Sequence, residues 1–182
     1  CPAAFCNVVG LTPTYGLVSR YGLIDYANSL DKIGLIAKQV EDIALGLSII
    51  AGHDKRDSTS LNTQTKKYRV NTNLKGVRIA VPKEYFENLD PAVEKSVWEA
   101  VKKLESNGAT YNEVSLPTTK YALASYYIIA TSEASTNLAK MCGMRYGLHK
   151  PLEGNFNQYF SAVRTEGFGE EAKRRIILGT FA

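Results

Sequence analysis

The stretch VRIAVPKEYFENLDPAVEKSVWEAVKKLESNGATYNEVSL, residues 77–116, decides the fold class. Val77, Ile79 and Val81 alternate with polar or small residues, the period of a strand with one face turned inward. Asp90-Pro91 then supplies an acceptor for unpaired helix amides, followed by the ring that suits a first helical position. Val93, Val97, Val101 and Leu104 recur at helical spacing until Asn107-Gly108 offers a stop, and Tyr111 to Leu116 reads as a second strand. Strand, helix and strand with short joints predict a right-handed βαβ crossover and a parallel pair. The expected fold class is α/β, a mixed central sheet covered by helices on both faces.

Working outward toward the N-terminus, residues 53–73 are rich in Asp, Ser, Thr, Asn and Lys without periodicity and read as a surface connection. Before them, Val40, Ile43, Ala44, Leu47 and Ala51 mark one face of a helix over 38–51, with Gly52 placed to end it. Residues 1–34 are apolar yet punctuated by Pro2, Gly10, Pro13, Gly16, Gly22 and Gly34, and predict short buried strands joined by tight turns. Toward the C-terminus, a helix is expected over 118–140, with Ala124, Ile128, Thr131, Ser135 and Leu138 on one side. Residues 143–154 read as a loop, followed by short helices over about 157–165 and 170–178. The chain opens on Cys1-Pro2 and closes on Leu178-Gly179-Thr180-Phe181-Ala182, so it is expected to be one partial domain, 1–182, cut at both ends from a longer protein.

Composition narrows the function classes. The 182 residues carry 22 basic and 18 acidic side chains, a net charge of +4 spread along the chain with small clusters at Lys66–Arg69 and Lys173–Arg175. A solvated face accounts for such clusters, and nucleic-acid contact is the sharper alternative. No apolar run approaches the ~20 residues that span a bilayer, so no membrane association is expected. Cys1, Cys6 and Cys142 lack metal-ligand spacing and read as reduced thiols of a cytoplasmic protein. His53 and His149 stand apart from each other and from any carboxylate or Cys at metal spacing, which points to structural or surface roles. Residue types and spacing alone reach a soluble α/β domain and no further.

Collinear motifs carry a resemblance. Pro2-Ala3-Ala4-Phe5-Cys6, Pro13-Thr14-Tyr15-Gly16, Val18-Ser19-Arg20-Tyr21-Gly22-Leu23 and Ser29-Leu30-Asp31-Lys32-Ile33-Gly34 resemble the amidase signature family. The match continues through Ala51-Gly52-His53-Asp54, Asp57-Ser58-Thr59-Ser60, Val81-Pro82-Lys83-Glu84-Tyr85, Ser115-Leu116-Pro117, Ser125-Tyr126-Tyr127, Ser132-Glu133-Ala134-Ser135 and Arg174-Arg175-Ile176. Within the family it is most similar to the glutaminase subunits of the glutamyl-tRNA(Gln)/aspartyl-tRNA(Asn) amidotransferases. Asn7 replaces a usual Gly, Thr12 a Lys and Leu35 a Pro, departures that touch local loop geometry.

The resemblance implies covalent acyl transfer by a Ser–cis-Ser–Lys arrangement, in which a Lys acting through a bridging Ser activates a nucleophilic Ser. In the family pattern that nucleophile lies just before Cys1 and its two partners further upstream, so no catalytic residue is expected here and the segment alone should be inactive. Ser19, Ser29, Ser58 and Lys32 match no catalytic position. The resemblance assigns substrate binding to Tyr126 and Arg175, the phenol and guanidinium that hold free glutamine. It further implies ammonia supply for converting Glu-tRNA(Gln) to Gln-tRNA(Gln), with candidate partners in a B subunit plus a small C subunit. No cofactor or metal is expected in this chain; ATP and Mg2+ would be used by the complex through the partner, which would also hold most of the misacylated tRNA. The alternatives are a stand-alone signature-family amidase acting on small amides and a noncatalytic interaction or RNA-binding module.

Overall fold

Asp90 shows how local chemistry sets an element. Its carboxylate accepts from the backbone N–H groups of Ala92 (2.8 Å) and Val93 (3.4 Å), and Pro91 follows with no N–H to satisfy. The computed structural model of the chain describes residues 1–64 and 66–182, so residue 65, inside the expected 53–73 connection, lies outside the described residues. In chain order the elements are α1 (Pro2–Phe5), β1 (Val9–Leu11), β2 (Leu35–Ala37), α2 (Val40–Ile50), β3 (Arg78–Pro82), α3 (Pro91–Ser106), β4 (Thr110–Val114), α4 (Ala122–Asn137), α5 (Phe156–Gly167) and α6 (Glu170–Phe181). The chain divides into two units, one of residues 1–68 with 124–182 and the other of residues 69–123.

The smaller unit is the βαβ crossover read from residues 77–116. β3 and β4 pair in parallel, with Ile79 opposite Tyr111 and Val81 opposite Glu113. Helix α3 links them and ends at Asn107-Gly108, where Gly108 takes a φ of 102° that an L side chain adopts only with strain. Val101 and Val81 are buried, and Trp98 on α3 meets Phe86 at 5.4 Å and Tyr111 at 5.8 Å between ring centroids. Glu84 ties the exit of β4 to the exit of β3: it accepts from Leu116 N at 2.8 Å and from the Ser115 hydroxyl, and these two bonds hold its carboxyl below the usual carboxylate range.

In the larger unit the helix expected over 38–51 is present as α2, with Ile43, Leu47 and Ala51 buried. It packs against antiparallel β1 and β2, where Gly10 faces Ile36, and with Val18 forms a core flanked by Leu11, Leu17, Ile33, Leu35 and Tyr68. Residues 1–34 depart from the expected strands. Pro2–Phe5 is a helical turn, Val9–Leu11 is a short strand, and between residue 12 and β2 the backbone is irregular apart from a bridge between Val18 and Ala51. Prolines remove donors and glycines admit turns, so this chain meets its hydrogen-bonding needs through side chains. Asn7, at φ 53°, occupies the left-handed region that Asn tolerates.

The helix expected over 118–140 is shorter at both ends, with 3-10 turns at Pro117–Tyr121 and Leu138–Lys140 flanking α4. Its buried face is Ala130, Thr131 and Ala134 rather than the row from Ala124 to Leu138. Helix α6 crosses there: a Cβ on Gly179 would fall on the Thr131 carbonyl, and the hydroxyls of Ser135 and Thr180 are 2.9 Å apart. Helix α5 starts with a reciprocal cap in which Asn155 accepts from Gln158 N at 3.0 Å and Gln158 accepts from Asn155 N at 2.9 Å. Tyr159 and His149 both reach the Gly143 carbonyl, at 3.0 and 2.9 Å, which gives His149 the structural role expected of it. The α/β class therefore holds, with the strands of these residues divided between two two-stranded sheets. No helix among the described residues is long and apolar enough to cross a membrane.

Two substitutions in the full-length protein test these contacts. Asp90→Ala removes a cap and should lower unfolding stability by about 1 kcal/mol in urea denaturation. Gly179→Ala forces α6 away from Thr131 and should cost about 1–3 kcal/mol in the same measurement; a midpoint equal to wild type would show that the two helices do not cross in contact.

Candidate functional site

The site begins with a segment that has no strand or helix of its own. Asp31 accepts from the N–H groups of Tyr26 (2.7 Å) and Ala27 (3.0 Å), folding residues 26–31 into a turn with Ala27 fully enclosed. α4 and the turn that follows it hold this segment from the other side. Glu133 accepts from Ser29 N at 2.9 Å and from the Ser29 hydroxyl, Asn137 donates to the Tyr26 carbonyl at 3.0 Å, and Lys140 pairs with Asp25. Positions 133, 137 and 140 are spaced by four and three, so they line one helix face. The Ser29 hydroxyl, then its N–H, hold the Glu133 carboxyl below its ordinary range. The residues of the Ser29–Gly34 and Ser132–Ser135 motifs are thus bonded to each other across more than a hundred positions.

A second network fixes the preceding turn. The Arg20 guanidinium donates to the Asn28 carbonyl at 2.6 Å and the Thr59 hydroxyl at 3.1 Å, and it lies 4.8 Å from the Tyr15 ring centroid. Asp57 accepts from Arg20 N at 2.8 Å and from Thr59 N at 2.9 Å, and these bonds hold its carboxyl low. Ser19 donates to Asp54 at 2.9 Å, while Arg56 grips the same carboxylate through Nε at 3.0 Å and Nη2 at 3.1 Å. Arg56, then Ser19, hold Asp54 far below the usual carboxylate range. Ser19 and Ser29 are therefore engaged in structural bonds, as their mismatch to any catalytic position implied.

Tyr26 is presented by this scaffold to α6. The Arg175 Nη1 donates to the Tyr26 hydroxyl at 2.9 Å, and the guanidinium carbon lies 5.8 Å from the Tyr26 ring centroid. Arg175 Nε donates to Glu171 at 2.8 Å, one turn earlier on the helix. Arg174 grips the same carboxylate through Nε at 2.8 Å and Nη2 at 2.6 Å, and with Arg175 it brings Glu171 down to about 2. Arg175 is raised above the ordinary arginine value by the Tyr26 hydroxyl first, then Glu171, then the Tyr126 hydroxyl. Tyr126 is partly exposed on α4, its ring set edge-on to Tyr127 at 5.5 Å.

The structure thus brings Tyr126 and Arg175, named from the sequence, to one another, and adds Tyr26 and Glu171. Glu171 was open to discovery, since a carboxylate four residues before an arginine is an ordinary helical ion pair. Tyr26 was not, because nothing local relates it to a residue 149 positions away. A guanidinium anchored on one edge, with two phenols beside it, has the chemistry to bind a small carboxylate through paired N–H donors. A recess of about 510 Å³ lies elsewhere, along Cys1, Pro2, Ala3, Gly10 and Leu11.

Comparison with known proteins places the chain. It is 57% identical over 184 aligned positions to the glutaminase (A) chain of the glutamyl-tRNA(Gln) amidotransferase of Methanosarcina mazei, and 54% identical to its counterpart in Carboxydothermus hydrogenoformans. All of this chain is covered in both, and it spans 38% of the length of each relative. The crystal structure of the corresponding amidotransferase chain from Thermotoga maritima superposes on 96% of this chain and 33% of its own, with a TM-score of 0.67 and 39% identity. The amidase family model matches residues 1–182, the whole of the sequence, and the chain accordingly belongs to the amidase family.

Proposed function

We propose that the full-length protein is the glutamine-hydrolysing A subunit of a tRNA-dependent amidotransferase, and that this segment supplies one wall of its glutamine pocket. The observation that supports it best is the collinear 57% identity to such glutamine-hydrolysing subunits over every residue of the chain. In this reading Arg175 binds the α-carboxylate of glutamine and Tyr126 adds a phenolic hydrogen bond. A planar guanidinium offers two parallel N–H groups to a carboxylate, a geometry that an ammonium cannot reproduce. The nucleophilic Ser, bridging Ser and Lys of the family lie outside this segment, toward the N-terminus of the intact protein.

Ammonia released from glutamine passes to a B subunit, with a small C subunit completing the complex, and amidates Glu carried on tRNA(Gln). ATP and Mg2+ act through the partner, which also holds most of the misacylated tRNA, and the complex works in the cytoplasm. The division of labour follows from chemistry: hydrolysis of a carboxamide by acyl transfer requires no activation, whereas amidation of a carboxylate does.

Steady-state glutaminase assays on the intact protein with its B partner test the site. Arg175→Ala should raise KM for glutamine about 10- to 100-fold, as expected for lost hydrogen bonds to a charged group, with a smaller change in kcat. Arg175→Lys should recover only part of the affinity. Glutamine turnover at the wild-type KM in Arg175→Ala would remove Arg175 from the pocket, and a preference for simple aliphatic amides over glutamine would make the protein a stand-alone amidase.

A further inference from the structure

Arg175 has five N–H groups, and two of them are already committed within the protein. Nε–H goes to Glu171 at 2.8 Å and one Nη1–H to Tyr26 at 2.9 Å, while among the described residues Nη2 makes no hydrogen bond. A carboxylate gripped by arginine takes two parallel N–H groups, either from the Nε/Nη2 edge or from the Nη1/Nη2 edge. Glu171 occupies the first edge. The second retains its donors only if the hydrogen given to Tyr26 is the outer one of Nη1, so the position of the Tyr26 hydroxyl decides whether that fork stays open.

We propose that Tyr26 is a positioning residue for carboxylate binding, holding the Arg175 guanidinium in the plane that presents its Nη1/Nη2 fork to the ligand. The proposal rests on the reading of Arg175 as the group that binds the glutamine carboxylate. A guanidinium fastened at Nε alone turns about its stem; a second bond at Nη1 fixes its plane. Tyr26 is itself held for this task. Its N–H is bonded to Asp31, its carbonyl to Asn137, and the following Ala27 is enclosed at 2% exposure, so the ring has little freedom to withdraw. Preorganisation of this kind acts on ligand affinity, because the cost of ordering the side chain is met before glutamine arrives.

The test uses the full-length protein in complex with its B partner and the variant Tyr26→Phe, which keeps the ring and removes the acceptor. KM for glutamine should rise about three- to tenfold, the scale of freezing one long side chain, while kcat and the melting temperature stay at wild type. Turnover of 4-aminobutanamide, which is glutamine without its carboxylate, should be unaffected. The double variant Tyr26→Phe/Arg175→Ala should match Arg175→Ala alone, since without the guanidinium there is nothing left to position. If Arg175→Ala raises KM but Tyr26→Phe does not, the positioning role is overturned and the carboxylate reading stands. If neither changes KM, the carboxylate reading itself fails. Equal losses on both amides, or additive effects in the double variant, would make Tyr26 a general support of the fold and overturn the proposal.

Discussion

The irregular segment between β1 and β2 must satisfy its backbone groups without a strand partner, and the rest of the larger unit is arranged around that requirement. A buried or half-buried N–H or C=O left unpaired costs about as much as a lost hydrogen bond gains, so each must find a side chain. Asp31 takes the amides of Tyr26 and Ala27, Glu133 that of Ser29, Asp57 that of Arg20, while Asn137 and Arg20 cover the carbonyls of Tyr26 and Asn28. Charged acceptors predominate, and such bonds are stronger than neutral ones. They give a loop the definition that pairing gives a strand, and they carry Tyr26 to Arg175.

This arrangement explains why so many family motif residues are polar without touching chemistry. Ser19, Asp54, Asp57, Thr59 and Glu133 bond to backbone or to one another, and the depressed carboxyls of Asp54, Asp57 and Glu133 follow from those bonds rather than from a catalytic task. Perturbed titration marks functional sites only where a cleft and a ligand geometry accompany it. At Arg175 both kinds of bond meet: Glu171 is a local helical partner, Tyr26 a remote one, and together they leave one donor edge uncommitted.

The helices of this unit pack through small residues. Ala130 and Ala134 are enclosed, Gly179 lies against the Thr131 carbonyl, and Val163 is the largest fully enclosed side chain among the described residues. Close approach of backbones in this way brings α6 near enough to α4 for Tyr126 and Arg175 to share an environment. Small residues crowd α4 visibly in the sequence, yet the buried face lies one row away from the expected one. Periodicity marks which residues recur together, whereas the neighbour that α4 receives, here α6 at Gly179, selects which row is buried.

What the sequence determined by itself is the part governed by short-range rules. The crossover at 77–116 was legible because its alternation, its Asp90-Pro91 start and its Gly108 stop each act within a few residues, and α2 was legible from one apolar face. Tyr126 and Arg175 were named through resemblance, since their residue types alone do not distinguish a ligand contact from a surface charge or a core ring. Only the tertiary structure decided that residues 12–34 would be bound by side chains instead of strands, and that Tyr26 would meet Arg175. Those outcomes depend on hydrogen bonds between positions a hundred or more apart, where a hydroxyl, a carboxylate and a guanidinium have no sequence period to betray them and become partners only once the helices have packed.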